Sequence, residues 1–499
     1  MTRVLTAGES VARIRDGQTV AIGGSGAGHS IPEALLAAIG RRYRATESPR
    51  ALTLIHPFGV GNQGDRGLEQ MAFPGMYRRV IGGHWSMSPS MAKLAAANQF
   101  EAYCLPAGII VQLFGCAAAG SPGWLSTVGL ETFVDPRLEG GKLNDVTSED
   151  LVELVQRDSR EFLFYKTTPV DVALIKAAVA DEDGNLSMDE EVAPWHNCAM
   201  AQAAKANGGI TLAQVKRVVP AGTLDPRRVR VPGVFVDALI VEPSLGMTYT
   251  IDYDPTLAGE SRKPASDFPP FPYSLRKAVA RRAAMELFPG AVLNVGFGMP
   301  DGVIKVAREQ GFADQIVPTI EQGQIGGIPA EGLEFGAMYN ATSIIETGHQ
   351  FAFYHGRGVD IAFLGFVEVD REGNVNVSRM ENAIIGVGGF IDIAQHARKL
   401  VFCGTLTAKG NPKFVEKVRQ VTFSGRYARR NGQEVLYVTE SAVFRLAPDG
   451  VELIETAAGE DVLARMEFQP LRADPLRAMD PALFLEEPLP ERLFPRFVR

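Results

Sequence analysis

Short apolar runs, glycine-rich breaks and stretches of helical period follow one another along this chain, the order expected where strands and helices alternate. Gln18 to Ile22 predicts a strand, Gly23 to Gly28 (GGSGAG) a loop, and Ile31 to Ile39 a helix with Pro32 in its first turn. Proline suits that position because the first helical amides have no intrahelical partner. The device returns in the second half. Val292 to Val295 predicts a strand, Gly296 to Met299 (GFGM) the loop, and Pro300 opens a helix carrying Val303, Ile304 and Ala307.

A second echo is clearer. DVALIKAAVADEDGN, from Asp171 to Asn185, aligns without a gap on DIAFLGFVEVDREGN, from Asp360 to Asn374, at an offset of 189. Each copy predicts a buried strand, a tight polar turn and the start of a return strand. Pro32 and Pro300 lie 268 apart, so the first half carries 79 more residues between its landmarks. The chain reads as a diverged duplication with the insertion in its first copy. The seam is Tyr253 to Tyr273, proline-rich, polar and weakly periodic, which predicts an extended linker. Helical pattern resumes after Ser274. The expected organisation is one α/β domain over 1–250, a linker over 251–274 and a homologous open α/β domain over 275–499, with mostly parallel sheets and flanking helices. The cleft between two such domains is the expected ligand site.

One predicted strand has an unusual ending. Gln315 to Ile320 stops at Glu321, followed by Gly323, Gly326, Gly327 and Pro329. Ligands of open α/β sheets bind beyond the carboxyl ends of strands, so an acid there is placed to meet substrate, and Glu321 is the candidate nucleophile. Capping a helix or pairing with an arginine is the structural alternative. A further glycine cluster, Ile384 to Phe390 (IIGVGGF), precedes IDIAQHARKL, a helical stretch that can turn Ile391, Ile393, Ala394 and Ala397 to a core. Glycines before a helix start offer backbone amides to an anion, as in an oxyanion hole. Tight helix-on-sheet packing would use the same residues.

Charge and cysteine content narrow the function classes. A formal charge of −8 over 499 residues gives no basic face for nucleic acid, although a polyanionic cofactor can still be held by local charges or amides. Cys104, Cys116, Cys198 and Cys403 are too far apart for a metal or redox pair, and reduced thiols in a cytoplasmic protein are expected. His349 and His355 do not share a helical face, so no metal site is predicted. The N-terminal stretch has no apolar core of a secretory signal, and no run reaches the roughly 18 apolar residues of a membrane span. Neither glycine loop has the spacing of a nicotinamide fingerprint, and GGSGA fails the nucleophile-elbow pattern of serine hydrolases.

IEQGQIGGIPAEG together with GVGGFIDIAQHARKLVFCGTLTAKG resembles the C-terminal half of the family I CoA-transferases, nearest the propionate or acetate CoA-transferase branch. GDRGLEQMAFPGMYRRVIGGHW (Gly64 to Trp85) and GSPGWLSTVGLETFVDPRLEGGKLND (Gly120 to Asp145) are similar to that branch's N-terminal signatures. The resemblance covers nearly the whole chain. It implies two related α/β domains fused in one polypeptide and exchange of CoA between a short-chain acyl thioester and a small carboxylate. The family's catalytic glutamate falls on Glu321. Its GxGGF oxyanion and CoA loop falls on Gly386, Val387, Gly388, Gly389 and Phe390. Gly296 and Gly298 resemble the part that meets CoA, and Lys409 either neutralises a CoA phosphate or is an exposed loop lysine. Asn376, on the return strand after Gly373, either orients the intermediate or is an exposed strand residue. No tightly bound cofactor is implied, CoA being a co-substrate, and relatives suggest a homo-oligomer, dimer or tetramer. One departure stands out. Many relatives carry Pro-Gln-Gly where this chain has Pro106, Ala107 and Gly108, so either Gln112 or a backbone amide substitutes for the missing donor, or the oxyanion hole is weaker, or the change marks a different acyl substrate or reaction. A thioester hydrolase or a carbon–carbon bond-cleaving hydrolase with Glu321 as general base is the rival on the same fold.

Overall fold

A computed structural model describes residues 3–381 and 383–497. Two large sheets organise it. The first runs, in order, through Arg3–Val4, Ala238–Val241, Ile210–Val219, Val172–Asp181, Thr19–Ile22, Leu52–His56, Tyr77–Gly82 and Glu101–Cys104, every neighbouring pair parallel. All ten residues of Val172–Asp181 are buried, as expected of a parallel strand covered on both faces. Its one cation, Lys176, pairs with Glu191 at 3.2 Å and also bonds the Gly246 carbonyl, which meets the demand that a buried charge be partnered.

The second sheet is parallel at its centre, through Val317–Thr319, Val292–Val295, Ile361–Gly365, Lys399–Cys403 and Glu434–Val438. Antiparallel strands flank this centre, Gln324–Ile325 on one side and Ala442–Ala447 on the other. Among the described residues no helix is long and apolar enough to cross a membrane.

The duplication is visible in the hydrogen bonds. Asp171 accepts the Thr19 amide at 2.8 Å and Asp360 accepts the Val292 amide at 3.0 Å. Farther on, Asp181 and Asp370 each close the same turn, taking the amides of Asn185 and Asn374 on Oδ1 at 2.9 and 3.0 Å. Gly184 and Gly373 sit in both turns at φ +86° and +78°, where a side chain would be strained. The copies differ in one respect. The first strand runs unbroken for ten residues, whereas the second stops at Gly365. Phe366 there turns inward against Phe414 at 5.8 Å, and Glu368–Asp370 joins a separate small sheet.

Register also matches the strand ends. Ala173 pairs with Ala21, which pairs with Ile55, and Ala362 pairs with Asn294, which pairs with Thr319. Ala173 and Ala362 carry the 189-residue offset, so the position equivalent to Glu321 in the first half is Pro57.

Some predicted boundaries move. The strand before Glu321 begins at Val317, because Ala313–Gln315 forms a 3-10 turn. Pro300 lies in a 3-10 turn that leads into the helix Gly302–Glu309. The helix after the GVGGF turn is only Phe390–Ala394, yet Ile391, Ile393, Ala394 and Ala397 are all buried.

Candidate active site

Glu321 stands in the turn between Val317–Thr319 and the antiparallel Gln324–Ile325, at the carboxyl edge of the parallel strands. The Ile320 and Gly323 amides close that turn on Gln324 and Ile320 at 3.1 Å each. Below it Tyr354, buried on the helix Thr347–His355, donates to Thr319 Oγ1 at 2.9 Å and accepts from Asn294 at 3.2 Å. A rigid base therefore carries the acid.

The GVGGF turn arrives from the other side, and it is pinned to the first half of the chain. Val387 and Gly388 donate their amides to the Gly83 carbonyl at 2.8 Å, and the Ala107 amide donates to the Gly388 carbonyl at 2.8 Å. Of the turn's amides, that of Gly389 faces the Glu321 carboxyl. A Cβ at Gly389 would overlap Glu321 Oε2 and approach Phe351 to 2.9 Å, so glycine is required by close approach. Gly388 and Gly389 thus lie against Glu321, whereas Gly386 packs on Gly83 and His84, and most of the loop's amides serve the seam between halves.

Glu321 keeps a partial opening to solvent, but protein surrounds it closely. Burial first, and then the negative charge of Asp392, push its carboxyl up to about 8, against the Gly389 amide and the Gln322 side chain at 3.3 Å. Asp392 is fully buried, holding the Gly108 amide at 3.1 Å and His355 Nε2 at 2.8 Å. Burial raises its carboxyl and the His355 contact opposes that. Two acids and one imidazole therefore meet at the site.

Other predicted residues lie farther out or have other tasks. Gly296 and Gly298 follow Val292–Val295 at the same sheet edge as Glu321, with Phe297 exposed between them. Lys409 is exposed at the tip of the hairpin joining Thr407–Ala408 and Asn411–Pro412. Asn376 is buried, and its amide bonds Glu368 at 2.8 Å and the Arg379 carbonyl at 2.7 Å while its oxygen takes the Ser378 and Arg379 amides. Those bonds shape its own turn. Gln112 is not the substitute donor at Glu321, because its helix turns the side-chain amide to the Gly348 carbonyl at 2.9 Å. Glu331 pairs with Lys305 at 2.7 Å, and Glu334 ends a single 3-10 turn. Among the described residues no group of three or more His, Cys, Asp or Glu could hold a metal ion.

His84, Phe351, His355 and Asp392 complete the site; His355 was weighed from sequence only as a metal ligand, and the other three were not singled out. GGHW was visible as a motif, but nothing local says that His84 meets a turn some 300 residues away.

Paired α/β halves with a carboxylate turn and a glycine turn meeting at their seam define an enzyme that works on a ligand held between them. Residues 4–242 match the Coenzyme A transferase family. The chain is 41% identical to the acetate CoA-transferase YdiF of Escherichia coli K12, over 97% of this chain and 95% of that one. It is 39% identical to the caffeate CoA-transferase of Acetobacterium woodii, over 98% of each. Crystal structures of YdiF from E. coli O157:H7, as apoenzyme and as a thioester complex with CoA, superpose at TM-score 0.92 with 40% identity, covering 98% of this chain and 97% of theirs. This chain belongs to the family I coenzyme A transferases and is an acyl-CoA:carboxylate CoA-transferase.

Proposed function

We propose that the enzyme moves CoA between a short-chain acyl-CoA and a small free carboxylate in two half-reactions, with Glu321 carrying CoA between them. The observation that carries this reading is the Glu321 carboxyl held against the Gly389 amide at the seam of the two halves. The thioester complex with CoA described for YdiF supports it, and the acetate and caffeate transferases support a carboxylate partner. Glu321 attacks the acyl carbonyl, giving a mixed anhydride and a CoA thiolate. The thiolate attacks the Glu321 γ-carbonyl, releasing the acid and leaving a glutamyl-CoA thioester. An incoming carboxylate reverses the sequence. Thioester energy is conserved throughout, provided water is kept out. Gly296, Gly298 and Lys409 are the proposed CoA contacts.

Incubation with acetyl-CoA and no acceptor should place CoA on the peptide containing Glu321, read by peptide mass analysis. Release of free acid and CoA without that adduct would instead mark a hydrolase with Glu321 as general base.

The raised carboxyl sets a pH profile. Attack requires the ionised form, so kcat/KM for acyl-CoA should climb about tenfold per pH unit below about 8 and level off above it. Stability runs the other way. A folded value raised above the ordinary 4.5 contributes stability that is full below 4.5 and lost as pH rises through about 8. Glu321→Gln should therefore gain in melting temperature over wild type between about pH 5 and about pH 9.

A further inference from the structure

An acyl carbon attacked by Glu321 becomes tetrahedral, and its oxygen takes a negative charge that calls for a fixed hydrogen-bond donor. Most donors around the carboxyl are already engaged. In the GVGGF turn, Val387 and Gly388 give their amides to Gly83, Gly386 gives its amide to Ser378 at 3.1 Å, and Phe390 gives its amide to Val387 at 2.9 Å. Across the seam the Ala107 and Gly108 amides go to the Gly388 carbonyl and to Asp392. Gln112 donates to Gly348 and Gln322 to Glu321 itself. The Ala107 methyl has no hydrogen to donate.

His84 stands apart from these. Its Cδ2 lies 4.0 Å from the point where a Cβ on Gly388 would stand, and Glu321 Oε1 lies 3.9 Å from the same point. Imidazole and carboxyl thus flank one glycine from opposite halves of the chain. Nδ1 is buried without a hydrogen-bond partner, turned to Gly59, whose Cβ would come within 2.8 Å of it. The residue is only half-buried, and Nε2 is the nitrogen left open. Orphaned buried N–H groups are rarer than orphaned acceptors, which puts the single proton of a neutral ring on Nε2. Burial first, then the neighbouring His56, push His84 down to about 4, so the ring is neutral near pH 7 and does not lock Glu321 into an ion pair.

We infer that His84 is a catalytic residue of this transferase, its Nε2–H donating the hydrogen bond that stabilises the oxyanion formed when Glu321 adds to the acyl-CoA carbonyl. The inference rests on Glu321 being the nucleophile. A C–O bond forms between Glu321 and the acyl carbon while the carbonyl π pair moves to oxygen, where His84 meets it. The pair returns as the C–S bond breaks, and CoA leaves as thiolate. No proton leaves the imidazole.

Single-turnover appearance of CoA on the Glu321 peptide, with acetyl-CoA and no acceptor, tests this in wild type, His84→Phe and His84→Gln. His84→Phe should slow the adduct by about 10²- to 10³-fold, with less than about threefold change in acetyl-CoA binding, since the bond is made in the transition state. His84→Gln keeps a donor and should recover at least about tenfold over His84→Phe. A wild-type rate in His84→Phe, or equal slowing in both variants, overturns the inference. Wild-type turnover without any adduct overturns the Glu321 thioester and this inference with it, so the two failures are distinguishable. Should the variants fail to fold, ¹⁵N-histidine spectra of the wild-type enzyme decide. The Nε2–H tautomer at His84 supports the assignment, and an Nδ1–H tautomer or a protonated ring at neutral pH overturns it.

Discussion

Glu321→Gln and Glu321→Ala are each expected to lower CoA transfer by more than about 10⁴-fold, because both remove the group proposed to carry the covalent intermediate. Glutamine is the sharper test. It keeps the length of the side chain and can still accept the Gly389 amide, but its amide is not a nucleophile. Steady-state transfer assays should show the loss in kcat, while acyl-CoA binding measured by calorimetry stays near wild type. Comparable losses in binding would mean that Glu321 holds the substrate and does not react with it.

Gly389→Ala has the next largest expected effect. The new Cβ would overlap Glu321 Oε2 and meet Phe351 at 2.9 Å. Phe351 has no room to retreat, being fully buried, stacked on Phe58 at 6.2 Å and edge-on to Tyr354 at 6.0 Å. The carboxyl must move, and it loses the Gly389 amide as it does. A fall of about 10²- to 10³-fold in kcat/KM is expected, with about 1–3 kcal/mol lost in denaturant unfolding from overpacking. Gly388→Ala is the comparison, because its Cβ would find Glu321 and His84 at ordinary contact distances of 3.9 and 4.0 Å, leaving only the backbone strain of a side chain at φ +52°, about 1–2 kcal/mol. Its activity should fall by much less.

What was legible in the sequence is what local chemistry dictates. Val292–Val295 matches its predicted strand residue for residue, because Val292, Leu293 and Val295, with Asn294 between them, run between the Pro289–Gly290 turn and the GFGM break and leave no other length. The paired turns at Asp181 and Asp370 were readable for the same reason, aspartate and asparagine bonding a glycine turn within five residues. The meeting of Glu321 with the GVGGF turn came from resemblance, since nothing in either segment addresses the other. The remainder depends on contacts across the fold. Asp392 finds Gly108 across 284 residues, and it takes the docked halves to make that bond. Gln112 was a reasonable donor by proximity in sequence, but helical rotation within Ala107–Ala118 sends it to Gly348 instead. The helix after GVGGF was overextended because its buried residues continue past the point where Gln395 ends the helix.

A doubled scaffold offers two equivalent strand ends, and this chain has a proline at one of them. Pro57 cannot carry an acyl group, and the adjoining Phe58 lies against Phe351 beneath the glycine turn. The first copy has become a wall for the second. Stoichiometry follows from that asymmetry, with acyl-CoA titration saturating at one equivalent of bound thioester per polypeptide and never at two.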